Sequence, residues 1–389
     1  MEVSKMGKRT KLRYGMVGGG LGAFIGAVHR RAIALEETGE LVAGCFSSKT
    51  EKNIETAEFY GLDRERVYKD YKEMAKKEAE REDTIDFVCI TTPNATHYEI
   101  AKAFLEAGIN VACEKPLCFT TEQAEELERL TEEKNLFFAV TYTYTGYNMV
   151  KFAKELVEKG EIGDIVNVNA EYLQDWLIDE IGAGNQTTTK MSVWRTDPKK
   201  SGISNCVGDI GTHIEDTVGY ITGMHPKKVA AVLDNYGMDL DLNANILVEY
   251  ENGVHGVYSS SQVCAGHQNG LVVRIFGSEG AIEWVQEDPN YLKVTKKGQP
   301  TQIYHRGTGY VTGRAAELNH IPSGHPEGLT YAFANIYHAF MGAILKRVNG
   351  EEVTKAELDF PSVHDGVMGV RFIKAAVESS KNGAAWTEL

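Results

Sequence analysis

The glycine cluster Gly18-Gly19-Gly20-Leu21-Gly22 constrains the fold more than any other part of this chain. It follows directly on the apolar run 12–17 and precedes an amphipathic stretch at about 25–35, after which 41–46 is apolar again. A strand, a glycine turn, a helix and a second strand in this order are typical of a dinucleotide-binding unit. Glycines let the backbone approach a pyrophosphate, and the first turn of the helix offers unpaired N–H groups to it. We therefore predict that Gly18, Gly20 and Leu21 bind a cofactor phosphate, with a purely structural glycine loop as the alternative.

The residues after the second strand bear on the type of cofactor. A unit that prefers NAD commonly ends this strand with an acid that binds the adenosine ribose hydroxyls. Here the strand is followed by Ser47, Ser48 and Lys49, and the first acid is Glu51. A serine pair and a lysine could instead tolerate a 2′-phosphate. The pattern predicts that these three residues contact the cofactor and leaves NAD and NADP both open.

Two later strand ends carry further candidates. The apolar run 85–90 leads into Thr92-Pro93-Asn94-Ala95-Thr96-His97, and the run 110–113 leads into Glu114-Lys115-Pro116. In open parallel sheets ligands bind outside the carboxyl ends of the strands. The alternatives are a structural histidine at a helix start and a surface lysine before a proline turn. The predicted cofactor contacts at this edge are Thr92, Pro93, Asn94, His97, Glu114 and Lys115.

Composition excludes several other classes of protein. The length of 389 residues suits two domains, and the net charge of −14 is spread along the chain, which argues against a nucleic-acid partner. No apolar run has the length of a membrane helix, and the start of the chain lacks the apolar core of a signal peptide. Six cysteines without CxxC spacing predict buried free thiols and a cytoplasmic location. No metal site is expected, since His305, His320 and His325 lack metal-ligand spacing.

The pattern changes after about residue 145, so we predict a Rossmann domain over 1–145 and a second α/β domain over 146–389. Short apolar runs separated by turns such as 251–253 and 278–280 predict a large antiparallel meander between residues 228 and 295. One bare face of such a sheet would suit association between copies of the chain. Residues 299–328 are expected to form a long loop, and helices are expected at 331–346 and 363–381.

The segment Asp209-Ile210-Gly211-Thr212-His213 combines an acid and an imidazole. A helix running from Asp209 to about Thr222 would place both side chains on one face, where they could hold one hydroxyl group between them. A histidine that titrates near neutrality commonly takes the proton that a hydroxyl loses on oxidation. The alternative is a helix N-cap, Asp209, followed by a core histidine.

Six elements in order resemble the Gfo/Idh/MocA family of NAD(P)-dependent sugar oxidoreductases, which includes glucose–fructose oxidoreductase and inositol dehydrogenase. They are 17–20 with His29, 92–97, 114–116, Gly160-Glu161-Ile162-Gly163, Trp194-Arg195, and Asp209-x-Gly211-x-His213-x-x-Asp216. The resemblance implies a Rossmann domain, a second domain with a mostly antiparallel sheet, and a homodimer or homotetramer. It also implies three catalytic residues. His213 would take the hydroxyl proton, Lys115 would stabilise the substrate oxygen, and Asp209 would orient the site.

The resemblance further implies a substrate that is a sugar, a glycoside or a cyclitol. Aromatic and polar side chains near the family motifs are candidates for its pocket, in addition to Lys115, Asp209 and His213: Tyr144, Trp176, Trp194, Arg195 and His325. Core packing is the alternative for the tryptophans. Three functions stay open: a dehydrogenase of a secondary hydroxyl, a redox-neutral NAD-dependent glycosidase working through a transient 3-keto sugar, and a binding protein that has lost catalysis.

Overall fold

A computed structural model describes residues 8–181 and 195–389 of the chain. Its first sheet is fully parallel, in the order β2-β1-β3-β4-β5, and a single parallel bridge from Gly44 to Val67 extends it beyond β2. Helices connect the strands, so the predicted Rossmann fold is confirmed. The strands are β1 Leu12–Gly18, β2 Gly39–Cys45, β3 Phe87–Thr91, β4 Asn110–Cys113 and β5 Phe138–Val140; the helices are α1 Phe24–Leu35, α2 Thr50–Phe59, α3 Tyr71–Ala79, α4 His97–Glu106 and α5 Thr121–Glu133.

The second sheet has nine strands in the order β13-β12-β11-β10-β6-β9-β8-β7-β14. It is mostly antiparallel, as expected, but the predicted unbroken meander is wrong at its centre. Strand β6 lies between β9 and β10 and pairs with β9 in parallel. The strands are β6 Ile165–Leu173, β7 Pro226–Asp234, β8 Asn243–Tyr250, β9 His255–Ser261, β10 Gly270–Gly277, β11 Gly280–Val285, β12 Tyr291–Lys296, β13 Gln302–His305 and β14 Thr387–Glu388.

The parallel pair β6–β9 brings two strand ends to the same edge of the sheet. Backbone hydrogen bonds continue the pairing beyond the strands, from Gln174 N to Ser261 O at 2.7 Å and from Leu177 N to Gln262 O at 3.0 Å. Gln174 and Gln262 therefore leave the sheet side by side, and both contribute to the site described below.

Six more α-helices within the described ranges follow β5. They are α6 Asn148–Glu158, α7 Pro198–Ser201, α8 Thr212–Thr222, α9 Gly313–Glu317, α10 Leu329–Val348 and α11 Val363–Lys381. Helix α10 returns to the first sheet, where the Phe340 ring packs edge-on against Phe87 at a centroid distance of 5.4 Å. Helix α11 contacts both α5 and β7. The predicted division at residue 145 stays a prediction, because the end of the chain packs against both sheets.

Two local predictions need correction. Asp209 does not begin a helix as its N-cap, because a π-helical turn over Val207–Gly211 runs directly into α8. The buried Asp241 carboxylate instead accepts bonds at the start of this turn, from Asn205 N at 2.9 Å and Val207 N at 3.0 Å. Residues 299–328 are not one long loop, since they contain β13 and α9.

Two further features were tested by the structure. None of the helices within residues 8–181 and 195–389 has both the length and the apolar character needed to cross a membrane. All six cysteines lie in the described ranges and all are free thiols, five of them buried, as predicted.

Candidate active site

A cleft of about 200 Å³ lies where the carboxyl edge of the first sheet faces the second sheet. Loops after β4 and β5 supply one side of it, and the π turn before α8 together with the end of β6 supplies the other. Its polar lining includes Glu114, Lys115, Tyr172, Gln174, Asp209 and His213. The cleft thus brings together the three residues that the sequence predicted to be catalytic.

Asp209 is the electrostatic centre of the cleft. Lys115 Nζ donates to its Oδ1 at 2.8 Å and to its backbone carbonyl oxygen at 2.6 Å. Arg195 forms a second ion pair with Oδ1, and Gln262 Nε2 donates to Oδ2 at 2.9 Å. Burial by itself would raise the pKa of Asp209, but the Arg195 and Lys115 cations hold that pKa well below its usual range. The carboxylate therefore stays ionised and fixes the position of the Lys115 ammonium group.

His213 lies one helical turn beyond Asp209 and faces the same cleft. Its ring is surrounded by tyrosines and stands edge-on to Tyr144 at a centroid distance of 4.6 Å. Burial, together with the charge of Lys115, lowers the pKa of His213 well below its ordinary value. Its buried Nδ1 has no hydrogen-bond partner among the described residues. The ring is thus a neutral base with an unused nitrogen.

A second row of buried amides orients the Asp209 carboxylate. Asn205 Nδ2 donates to the Asp241 carbonyl oxygen at 3.1 Å and to Gln262 Oε1 at 2.6 Å. A carbonyl oxygen can only accept, so this contact identifies the Asn205 nitrogen and leaves the Gln262 nitrogen to donate to Asp209. Sequence reasoning missed Gln262, because it follows three serines and no motif surrounds it. Its position at the end of a predicted strand was the only available signal.

Glu114 belongs to a buried pair behind Lys115. Its Oε1 contacts His29 Nε2 at 2.7 Å and accepts from Thr141 Oγ1 at 2.7 Å. Burial opposes both charges, but Cys89 and Glu114 raise the pKa of His29 to about 10. Burial likewise acts to raise the pKa of Glu114, and the bond to His29 lowers it. His29 also contacts Tyr337 of α10, so the pair ties α1 to the edge of the cleft.

The glycine turn has the backbone features of a pyrophosphate-binding loop. A Cβ atom on Gly26 would lie 2.4 Å from the Gly19 Cα atom, so α1 and the turn touch backbone to backbone. Gly18 and Gly19 have positive φ angles of 82° and 67°, which favour glycine. Helix α1 has no side-chain cap at its N-terminus. Unpaired amides beside a bare backbone suit a pyrophosphate, so the residues present fit the predicted cofactor.

Some of the other predicted cofactor residues lie in loops at the same edge of the first sheet as this turn. Leu21 N donates to Thr56 Oγ1 at 3.1 Å, which fixes the glycine loop to α2. Ser47, Ser48 and Lys49 form the segment between β2 and α2, and Thr92, Pro93 and Asn94 follow β3. His97 differs from the prediction because its ring is fully buried. Its Nδ1 lies 2.9 Å from the Pro116 carbonyl oxygen and its Nε2 lies 2.9 Å from that of Thr92, so the ring joins two loops.

The predicted substrate residues divide into four groups. Tyr144 and Arg195 line the cleft, whereas Trp194 lies outside the described residues. Trp176 stands behind the wall and donates its indole N–H to Gln174 Oε1 at 2.8 Å. His325 is a wrong prediction for this cleft, because it lines a separate cavity near Tyr291 and Arg306. Arg306 donates to the His325 carbonyl oxygen at 2.6 Å and thereby fixes that loop.

Sequence reasoning missed several lining residues, among them three on the side of the second sheet: Tyr172, Gln174 and Asn269. Tyr172 and Gln174 lie at the end of β6, and Asn269 directly precedes β10. They meet only because β6 is inserted next to β10, which the order of segments along the chain does not reveal.

Comparison with known proteins gives consistent matches over most of the chain. Residues 12–142 match the family model described as "Oxidoreductase family, NAD-binding Rossmann fold", and residues 150–283 match the GFO/IDH/MocA C-terminal domain. The chain is 36% identical to the uncharacterized oxidoreductase YfiI of Bacillus subtilis, over 97% of each sequence.

Two solved structures are also similar. The chain superposes on an inositol dehydrogenase homologue from Azotobacter vinelandii bound to NADH and myo-inositol with a TM-score of 0.88 and 35% identity, over 98% of this chain and 99% of the other. A levoglucosan dehydrogenase bound to NADH and levoglucosan gives a TM-score of 0.82 and 27% identity, over 97% of this chain and 99% of the other.

Proposed function

The chain belongs to the GFO/IDH/MocA family of NAD(P)-dependent oxidoreductases, and we propose that it transfers a hydride between a nicotinamide cofactor and a secondary hydroxyl of a sugar, glycoside or cyclitol. One observation carries the proposal. Lys115, Asp209 and His213, which come from both domains of the predicted division, converge on one cleft beside the glycine turn. Similar proteins bind myo-inositol and levoglucosan, and both compounds present secondary hydroxyls on a ring.

The residues of the cleft have complementary roles in this reaction. Neutral His213, whose ring lines the cleft, takes the proton of the substrate hydroxyl, since an uncharged imidazole has one nitrogen with a free lone pair. The Lys115 ammonium holds the same oxygen and stabilises the negative charge that develops there. Asp209 keeps Lys115 in place and balances its charge. A nicotinamide cofactor held at the glycine turn by Gly18, Gly20 and Leu21 would supply the hydride acceptor for the substrate carbon.

We further propose that the chain forms a homodimer or homotetramer through the open face of the second sheet. Alternate residues of β7, β8 and β9 point outward, and Val232, Leu247 and Val257 are among the exposed apolar side chains. A sheet with apolar residues on both faces gains free energy when the outer face is covered. Sedimentation of the purified protein tests this, and a monomer at micromolar concentration would contradict it.

The reaction is tested by absorbance of the reduced nicotinamide. Purified protein is offered NAD and NADP separately against inositols, monosaccharides, anhydrosugars and aryl glycosides, with product analysis in parallel. Reduced cofactor in equal amount to a keto product supports hydride transfer and identifies the preferred cofactor. Release of an aglycone without net reduction would instead support the redox-neutral glycosidase, and bound cofactor without turnover of any compound would contradict both.

A further inference from the structure

One wall of the cleft is built from a continuous row of side-chain hydrogen bonds. Trp176 Nε1 donates to Gln174 Oε1 at 2.8 Å, and Gln174 Nε2 donates to Asn269 Oδ1 at 2.8 Å. The Tyr172 hydroxyl donates to the same Asn269 oxygen at 3.1 Å, and the Tyr144 hydroxyl contacts the Tyr172 hydroxyl. Four of these five side chains line the cleft, and Trp176 stands behind them.

Trp176 determines which group donates and which accepts in every hydrogen bond of this row. An indole N–H can only donate, so the Gln174 atom facing Trp176 is the amide oxygen. The Gln174 nitrogen must then face Asn269, which turns the Asn269 oxygen toward it. Because that oxygen can only accept, Tyr172 donates to it, and Tyr144 must donate to Tyr172. Amide orientations and hydroxyl rotors are otherwise interchangeable, and here a single N–H removes the ambiguity.

Two side chains of this row, Asn269 and Tyr144, keep a hydrogen-bonding group that the row itself does not use. The Asn269 oxygen already accepts two bonds, while its Nδ2 group has no partner among the described residues. The Tyr144 hydroxyl donates its hydrogen to Tyr172, so its oxygen can only accept further bonds. The Tyr144 ring lies close to the His213 ring. The wall therefore offers a hydrogen-bond donor at Asn269 and an acceptor at Tyr144.

We propose that Asn269 is a specificity-determining residue that donates to an acceptor oxygen of the substrate, and that Trp176 is a positioning residue that sets its orientation. The proposal rests on the proposed function for the identity of the substrate class. It adds that the substrate group facing Asn269 must be able to accept a hydrogen bond. A hydroxyl or an ether oxygen qualifies, whereas a plain methylene group does not.

The first test needs no substrate. In nitrogen-15 spectra of the purified full-length protein, the side-chain amide signals of Gln174 and Asn269 are identified by their loss in Gln174→Glu and Asn269→Asp. Trp176→Phe removes the indole N–H and keeps an aromatic ring, so both amide signals should shift or broaden. Trp386→Phe is the matched control at an exposed tryptophan near the C-terminus and should leave them unchanged. Unchanged amide signals in Trp176→Phe would overturn the positioning role.

The second test uses binding, so that it does not depend on turnover. The probes are myo-inositol and its monofluoro derivatives, in which one hydroxyl becomes a neutral group without a hydrogen to donate, and dissociation constants are measured by calorimetry on NADH-loaded protein. The fluoro derivative that presents fluorine to Asn269 should bind the wild-type protein within a few-fold of myo-inositol. In Asn269→Asp, an oxygen replaces the donor, and the same derivative should lose about tenfold relative to myo-inositol. Trp176→Phe changes no charge, and in this variant the fluoro derivative should also bind less well relative to myo-inositol than it does in wild type.

The outcomes separate this proposal from the proposed function. Binding with the expected preferences but without turnover would refute hydride transfer and keep the role of the wall. Turnover would support hydride transfer. If, in addition, wild type and Asn269→Asp showed the same ratio of affinities for the fluoro derivative and myo-inositol, the proposed role of Asn269 would be refuted. Failure of myo-inositol and all its derivatives to bind would overturn the recognition by Asn269.

Discussion

The buried contact between Gln262 and Asp209 allows a quantitative prediction. Gln262 is fully buried, and its nitrogen donates to Asp209 Oδ2 at 2.9 Å while its oxygen accepts from Asn205. Gln262→Glu keeps the shape of the side chain but places a second carboxyl oxygen against an ionised one. Since two carboxylates at this distance cannot both stay charged, the introduced carboxyl should bind a proton and donate it to Asp209.

The magnitude follows from the linkage between protonation and folding. In the unfolded chain the introduced carboxyl has a pKa of about 4.3, and in the folded protein it stays protonated at pH 7. Holding that proton across about 2.7 pH units costs about 1.36 kcal/mol per unit, or about 3.7 kcal/mol. The folded state binds the extra proton, so the loss of stability is present above pH 4.3 and disappears as the pH falls to that value.

Urea unfolding of wild type, Gln262→Glu and Gln262→Met at pH 5, 6, 7 and 8 measures this effect. Relative to wild type, Gln262→Glu should recover about 1.4 kcal/mol for each unit that the pH is lowered. Gln262→Met removes the charge-assisted bond without adding a titrating group, and it should cost about 1.5–3 kcal/mol at every pH. If Gln262→Glu showed the same pH dependence as wild type and Gln262→Met, the reasoning about Asp209 would be refuted.

Three further predictions concern the catalytic residues and the glycine turn. Lys115→Ala and His213→Ala should each abolish turnover with little change in cofactor affinity, measured by fluorescence titration, and near-normal rates in both would contradict their roles. The unfolded His213 side chain takes up a proton below about pH 6.5 and the folded one does not, so wild type should lose up to about 1.4 kcal/mol per unit as the pH falls from there. His213→Asn should lack this slope in urea unfolding, and an identical slope would contradict burial of a neutral ring. Gly26→Ala should cost about 1–3 kcal/mol and weaken cofactor binding, because its Cβ would meet the backbone of Gly19, whereas Gly342→Ala, with open space around it, should cost nothing.

Much of the first domain could be read from the sequence, because its signals are local. The apolar run before Gly18, the glycines and the amphipathic helix follow one another within about twenty residues, and each has a direct backbone cause. The placement of Lys115 at a ligand-binding edge followed from the rule that parallel strands end together. The spacing of Asp209 and His213 likewise gave their common face, although it gave the wrong helix start.

The second half of the cleft was decided by tertiary structure. Gln174 lies far along the chain from Gln262 and Asn269, and no periodicity connects the three. They meet because β6 is inserted between β9 and β10, and strand insertion depends on packing across the whole sheet. The sequence thus determined the cofactor turn and the identity of the charged residues, since these depend on neighbours along the chain. Only the folded structure decided which neutral amides contact these charged residues. It also decided to which partner each amide donates, because the donor and acceptor of a hydrogen bond are set by neighbours in space.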